Sequence, residues 1–385
     1  MTDPIEKFNL AVPEADLDDL RERLVRTRWP ERETVTDTGQ GPPLAKIRAL
    51  VDHWQEAYDW RTCEAWLNEA GQYKTTIDGL GIHFLHVRSP QPDAMPLLLC
   101  HGWPGSILEF RKLVGPLAEP AAHGGDPADA FHLVIPSMPG FGFSDKPDEP
   151  GWTPPRIARA WIELMGRLGY DRWGVQGGDL GSAVADEIAR LRPDPLVGVH
   201  SNFAMFKPDE EEIAAATPEE RAMLADSGYF WEKLSGYAKE QATRPQTIGY
   251  SLSDSPAGLA AWIYAMFQDT CGTPGDAEGS FDRDEMLDDI MLYWLPNTGA
   301  SAARLYWEME ASGWRPTATA EDPIEVPFGF TMLPREHVRK SRRWIERRYP
   351  NLVHFNEAEA GGHFAALEQP EVMVTDIRAT FRGLR

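Results

Sequence analysis

The segment Val175–Ser182, VQGGDLGS, centres a carboxylate in a frame of small residues: Gly177, Gly178, Asp179, Leu180, Gly181. Glycines in that frame let a strand turn tightly into a helix. Such a turn exposes the central side chain and aims the next backbone N–H at the reacting centre. A hydroxyl at the apex attacks acyl carbon and keeps the acyl group. A carboxylate attacks saturated carbon by displacement and keeps the alkyl group as an ester. The chemistry open to Asp179 is therefore displacement at an sp3 carbon bearing a leaving group. Aspartate ionises near pH ~3.9, so it needs no base for this step. The structural alternative is an ordinary turn with Asp179 as a helix N-cap. Ser182 lies three residues past the apex, so a serine nucleophile does not fit.

An alkyl ester must then be hydrolysed, which calls for a base to activate water. His363 fits, because it sits in the glycine-rich loop Gly361-Gly-His363-Phe-Ala365 after a predicted strand. Among the other histidines, His83 and His86 are three apart in a predicted strand, face opposite sides, and make a poor metal pair. The stretch His101-Gly-Trp-Pro-Gly105 directly follows another predicted strand. The backbone N–H groups of Trp103 and Leu180 are candidates for an oxyanion hole, where losing one donor costs about 10²–10³ in rate. An acid that orients His363 should follow a late strand. Glu336, after VPFGFTMLP, fits, and Asp209 is the rival at an alternative position.

These residues need a scaffold. Ile82–Val87, Pro96–Cys100, Phe131–Ile135, Trp173–Gln176 and Leu196–His200 read as strands. Helical stretches near 106–118, 156–168 and 181–191 lie between them. This alternation predicts an α/β fold with a mostly parallel, doubly wound sheet. From about 206 to 320 the pattern becomes helical, and strands resume with Val326–Thr331 and Leu352–Phe355. Helices are expected near 337–348 and 371–382. An insertion there sits over the carboxyl ends of the strands, where ligands bind, and so makes a lid. Residues 1–75 read as helical with no strand, from the Leu17, Leu20, Leu24 spacing and the run Trp54, Tyr58, Trp60, Trp66. The expected organisation is an N-terminal helical domain over 1–75, core over 76–205, helical cap over 206–320, and core again over 321–385.

The 38 basic residues are outnumbered by 60 acidic ones, for a formal charge of −22. That argues against nucleic acid or an anionic membrane as partner. Cys63, Cys100 and Cys271 are odd in number and widely spaced, which points to a reducing, cytoplasmic setting. No apolar stretch approaches the roughly 18 residues of a membrane span. Ala260–Phe267 is among the longest, and MTDPIEKFNL has no signal core.

The blocks FNLAVPEADLDDLRERLVRTRWPE, YDWRTCEAWLN, IDGLGIHFLHVRS, HGWPGSILEF, PSMPGFGFSDKP, QGGDLGS, TRPQTIGYSLSDSPAGLAAWI and GGHFAALEQPE occur in this order. Together they resemble the epoxide hydrolases of the microsomal and juvenile-hormone type, within the α/β-hydrolase superfamily. The resemblance spans nearly the whole chain. It implies Asp179 as nucleophile, His363 as base and Glu336 as orienting acid. It also implies two lid tyrosines that hold the epoxide oxygen. Tyr306 matches the second of these and Tyr237 the first, with Tyr229 and Tyr250 as rivals for Tyr237. One departure is visible: the family usually has Trp after the nucleophile, where this chain has Leu180. The N–H is unchanged, but the pocket wall differs. Animal members carry a membrane anchor ahead of this region, which is not expected here. The resemblance admits a homodimer, though no feature of the sequence by itself requires one.

On this reading a small apolar epoxide and water give a vicinal diol, without metal or organic cofactor. Detoxification and secondary metabolism both suit such a reaction. An epoxide opens to an alkoxide that two phenols can protonate, whereas a halide leaves without a proton. A haloalkane dehalogenase, with Trp103 as halide donor, is the nearest alternative. A catalytically silent protein that binds an apolar ligand is the other.

Overall fold

The computed structural model describes residues 3–385. Nine strands form one sheet: β1 Glu6–Lys7, β2 Gln72–Ile77, β3 Leu80–Val87, β4 Met95–Cys100, β5 Phe131–Pro136, β6 Trp173–Gly177, β7 Leu196–Ser201, β8 Phe328–Met332 and β9 Leu352–Glu357. Their order is β1-β2-β3-β5-β4-β6-β7-β8-β9. From β5 to β9 neighbours pair in parallel, and β1, β2 and β3 continue the sheet antiparallel. The central strands are apolar on both faces, as a sheet covered by helices on both sides requires. Leu97, Leu98, Leu99, Val134 and Val175 are fully buried.

Two expectations need correction. Residues 1–75 are not free of strand: β1 and most of β2 fall there. The sequence signal for β2 is Thr75, Thr76 and Ile77 leading into Asp78-Gly79. Both turn residues have positive φ, 51° and 80°, the tight-hairpin geometry that joins β2 to β3. β1 has only two residues, and its pairing with Tyr73 and Lys74 is invisible to periodicity. The helix expected near 337–348 starts at Arg342. The preceding residues are held in a loop, where Glu336 accepts from the Val338 N–H at 3.0 Å and Lys340 Nζ donates to the Val338 carbonyl at 3.0 Å.

Between β7 and β8 lie seven α-helices, from Glu210–Ala214 to Gly299–Ala311. The N-terminal segment is tied to them. Lys46 Nζ meets Glu278 at 2.9 Å, and the Tyr58 hydroxyl donates to Asp288 at 2.6 Å. The other oxygen of Asp288 accepts from Arg111 at 2.8 Å, so this carboxylate joins residues from three distant segments. Among the described residues, no helix is long and apolar enough to cross a membrane.

Candidate active site

β6 ends at Gly177, and the helix Asp179–Leu191 begins two residues later. Asp179 takes φ 45°, a left-handed conformation that costs a non-glycine residue energy. It does not act as an N-cap: Gly178 holds that position, and no side chain caps the helix. The flanking glycines are required by close approach. A methyl on Gly177 would lie 2.6 Å from the Gly181 carbonyl carbon, and one on Gly181 2.5 Å from that of Cys100. This lets the turn pack directly against the end of β4. There the Trp103 N–H donates to Asp179 Oδ1 at 2.9 Å. The HGWPG turn is fixed by His101, whose Nε2 accepts from the Met138 N–H at 3.2 Å. Burial holds the His101 pKa near about 4, so the ring stays a neutral acceptor. Leu180 is buried, and its N–H belongs to the first helical turn, whose donors lack intrahelical partners.

His363 faces the other carboxylate oxygen. Its Nε2 lies 3.3 Å from Asp179 Oδ2, and its Nδ1 lies 2.6 Å from Glu336 Oε2. Burial opposes a charge on His363, but Glu336 and Asp179 outweigh it and hold its pKa well above the ordinary value. Burial likewise opposes ionised Glu336, and the His363 charge overrides it and lowers the carboxyl pKa. Glu336 and His363 thus pair as carboxylate and imidazolium, with Asp179 on the far side of the ring. The loop is clamped from above: the His363 N–H donates to the Thr270 carbonyl at 2.8 Å, at the end of helix Pro256–Thr270. Gly362 permits this approach, since a methyl there would lie 2.6 Å from the Cys271 carbonyl carbon. Phe203 and Phe364 meet the imidazole edge-on, with centroids 5.5 and 5.4 Å away.

Asp209 stands elsewhere. It caps helix Glu210–Ala214, accepting from the Glu212 N–H at 2.8 Å, and pairs with Arg347 at 3.1 Å.

Tyr237 and Tyr306 come from different helices and meet over the turn. Their rings are 6.0 Å apart at 79°. Trp103 stacks on Tyr237 at 4.7 Å and meets Tyr306 edge-on at 5.9 Å. Burial, with the Asp179 charge among the neighbouring contributions, holds both phenols above the ordinary tyrosine range, so both are neutral donors. A π-helical turn over Phe230–Leu234 sets the register into Tyr237, a device common at functional sites. The rivals Tyr229 and Tyr250 are 56% and 70% exposed, and Tyr229 stands at the cavity beside Tyr237 rather than against Trp103. A cavity of about 930 Å³ opens beside Tyr237, lined also by Trp262, Met266 and residues 37–41. Among the described residues, no cluster of side chains could hold a metal.

Sequence reasoning missed the Thr270 clamp, buried Lys340 in the acid loop, and Glu109, whose carboxylate folds back over Gly105. None carries a local signal; each matters through distant chain brought close.

Comparison with known proteins agrees with this geometry. The family model for the epoxide hydrolase N terminus matches residues 5–110, and that for the alpha/beta hydrolase fold matches residues 95–265. A protein of Stigmatella aurantiaca that bears an epoxide hydrolase name is 51% identical over 99% of this chain and 86% of its own length. Epoxide hydrolase 1 of Sus scrofa is 33% identical over 99% of this chain and 89% of its own. The crystal structure of juvenile hormone epoxide hydrolase from the silkworm Bombyx mori superposes with a TM-score of 0.91. It is 29% identical, over 100% of this chain and 95% of that one. With its strained acidic turn, its histidine set between two carboxyl groups and its near full-length relatives, this chain belongs to the epoxide hydrolase family.

Proposed function

We propose that the protein converts an epoxide to a vicinal diol through an ester on Asp179. The supporting observation is the division of labour between its oxygens. Oδ1 accepts the Trp103 N–H at 2.9 Å, while Oδ2 lies 3.3 Å from His363. Oδ2 attacks an epoxide carbon, and the C–O bond of the ring breaks. The alkoxide takes a proton from the pair Tyr237 and Tyr306. Alkylation removes the Asp179 charge, one of the two that hold the proton on His363, so the imidazole gives up that proton and the tyrosinate left by ring opening is restored to the phenol.

Neutral His363 then takes a proton from water while the hydroxyl adds to the Asp179 carbonyl carbon. Glu336 stabilises the imidazolium, and the N–H groups of Trp103 and Leu180 hold the oxyanion on Oδ1. Collapse breaks the bond to the alkyl oxygen, which takes the imidazolium proton and leaves as the diol, and the Asp179 carboxyl so formed passes its proton to His363 to restore the starting state. Residues 206–320 serve as the lid over a core formed by 76–205 and 321–385, with 1–75 bracing the lid. The paired phenols favour an epoxide over an alkyl halide, whose departing anion needs no proton.

The test is made on a reactive epoxide such as styrene oxide. Asp179→Ala is expected to form no diol, and His363→Gln to accumulate protein heavier by one substrate mass. Diol formation by Asp179→Ala at the wild-type rate would end this reading.

A further inference from the structure

A second chamber, of about 20 Å³, lies beside the HGWPG turn, bordered by Gly105, Glu109, Asp289, Phe364 and Leu367. It shares no lining residue with the large cavity beside Tyr237. A water needs roughly 10–15 Å³ of such space and two to four polar partners. An organic substrate needs a pocket of several hundred Å³, roughly 300–1,000. The chamber therefore fits a single water and excludes an epoxide.

Two of its carboxyl groups keep unused hydrogen-bonding capacity. Asp289 is 4% exposed, and its Oδ2 has no hydrogen-bond partner among the described residues. No donor among the described residues reaches the Glu109 carboxylate, and its half-buried side chain lines the chamber. Its Oε2 folds back so far that a methyl on Gly105 would lie 2.5 Å from it. Glu109 is thus pressed against the turn that supplies the Trp103 N–H. Phe364, next to His363, forms another wall.

We propose that Glu109 is a positioning residue that holds the hydrolytic water in this chamber and presents it to His363. This rests on the ester mechanism above. Water then reaches the Asp179 ester by a route separate from the one the epoxide takes. Burial pushes Glu109 up to about 8; His363 opposes the rise, and Asp179 and Asp289 add to it. Burial also pushes Asp289 up to about 8, with Asp288 adding to the rise and Ser106 opposing it. Arg111, bound to Asp288, is the cation bordering the chamber. Burial thus favours the protonated carboxyl at both positions, which offers an O–H to donate and a carbonyl oxygen to accept. Glu109 neither gains nor loses a proton overall; it fixes the water's orientation.

The test separates the two half-reactions. The full-length protein is mixed in excess with styrene oxide, quenched over time, and read by intact mass for ester and by chromatography for diol. In Glu109→Leu, ester formation should stay within about threefold of wild type, while ester decay slows by about tenfold or more. Glu109→Gln, which can still donate and accept, should restore most of the lost decay rate. Wild-type decay in Glu109→Leu, equal loss in both steps, or no restoration by Glu109→Gln would each overturn the assignment. If Glu109→Leu does not fold, Glu109→Ala is read by the same criteria. Failure of the ester mechanism shows separately, as no adduct in His363→Gln, where Glu109 is intact.

Discussion

One methyl group at Gly102 tests the geometry on which the chemistry depends. A Cβ there would lie 2.6 Å from Asp179 Cγ, and closer still to Oδ1. Carbon atoms in contact sit about 3.5–4.0 Å apart, so turn and carboxylate must separate by roughly 1 Å. Neither side has room to yield cheaply. Asp179 is rooted at φ 45°, and Gly181 beneath it is packed on the Cys100 carbonyl. The displacement therefore falls on the contact between Asp179 and the Trp103 N–H. Misplacing a reacting group by 1 Å can cost about 10²-fold in rate. Gly102→Ala is expected to slow alkylation about 10²-fold by that measure. The assay is single-turnover quench with styrene oxide, following the ester by intact mass, with thermal unfolding to show that the variant is folded. Gly166→Ala is the control. It sits in an exposed turn of helix Pro154–Arg167 with nothing within 4 Å of the added methyl. It should leave the rate unchanged and raise stability by about 0.4–1 kcal/mol. A folded Gly102→Ala that alkylates within threefold of wild type would refute the reasoning.

Glu336→Gln removes the charge that does most to hold the His363 proton, so the pKa of His363 should fall. The pH profile of ester decay should move to lower pH, and its maximum should drop by about 10²-fold or more with general-base orientation lost. An unmoved profile in stopped-flow decay would contradict that arrangement. Tyr306→Phe and Tyr237→Phe should each slow alkylation, by roughly tenfold for one lost hydrogen bond to a charged oxygen, and the double variant should be nearly inert toward epoxides. Diol release by the double variant at the wild-type rate would deny the phenols any part in ring opening. Glu220 loses some solvation by burial, but Arg343 and Ser341 outweigh this and bring its pKa to about 2 from 4.5. Its folded-state pKa is depressed, so its stabilisation is present above about 4.5 and lost as pH falls toward 2. Arg343 is partly exposed, which reduces the yield to about 1–2 kcal/mol. Glu220→Gln should lower stability by that amount at pH 7, and the gap to wild type should close as denaturation is repeated in increasingly acidic buffer.

Features carried by contiguous residues could be read in advance. The turn at Asp179 is written in its own glycines, because the conformation and the close approach at Cys100 admit no side chain there. The parallel core announces itself through short apolar runs such as Leu97–Leu99, buried on both faces whatever surrounds them. The loop of His363 follows the same logic, with Gly361 at φ 102° and Gly362 under the cap. Where chemistry depends on distance across the chain, periodicity and propensity are silent. Glu336 meets His363 and Asp209 does not, because the former lies in the loop that follows β8 while the latter caps a helix beside Arg347. Tyr237 rather than Tyr229 or Tyr250 faces Trp103 because a π turn and the packing of helix Gly299–Ala311 set its direction. The two-residue strand at Glu6–Lys7 and the small chamber at Glu109 exist only as gaps and edges between distant segments. Local sequence specifies backbone conformation through sterics within a few residues. The meeting of side chains from opposite ends of 385 residues is set by the packing of whole elements, which no short window encodes.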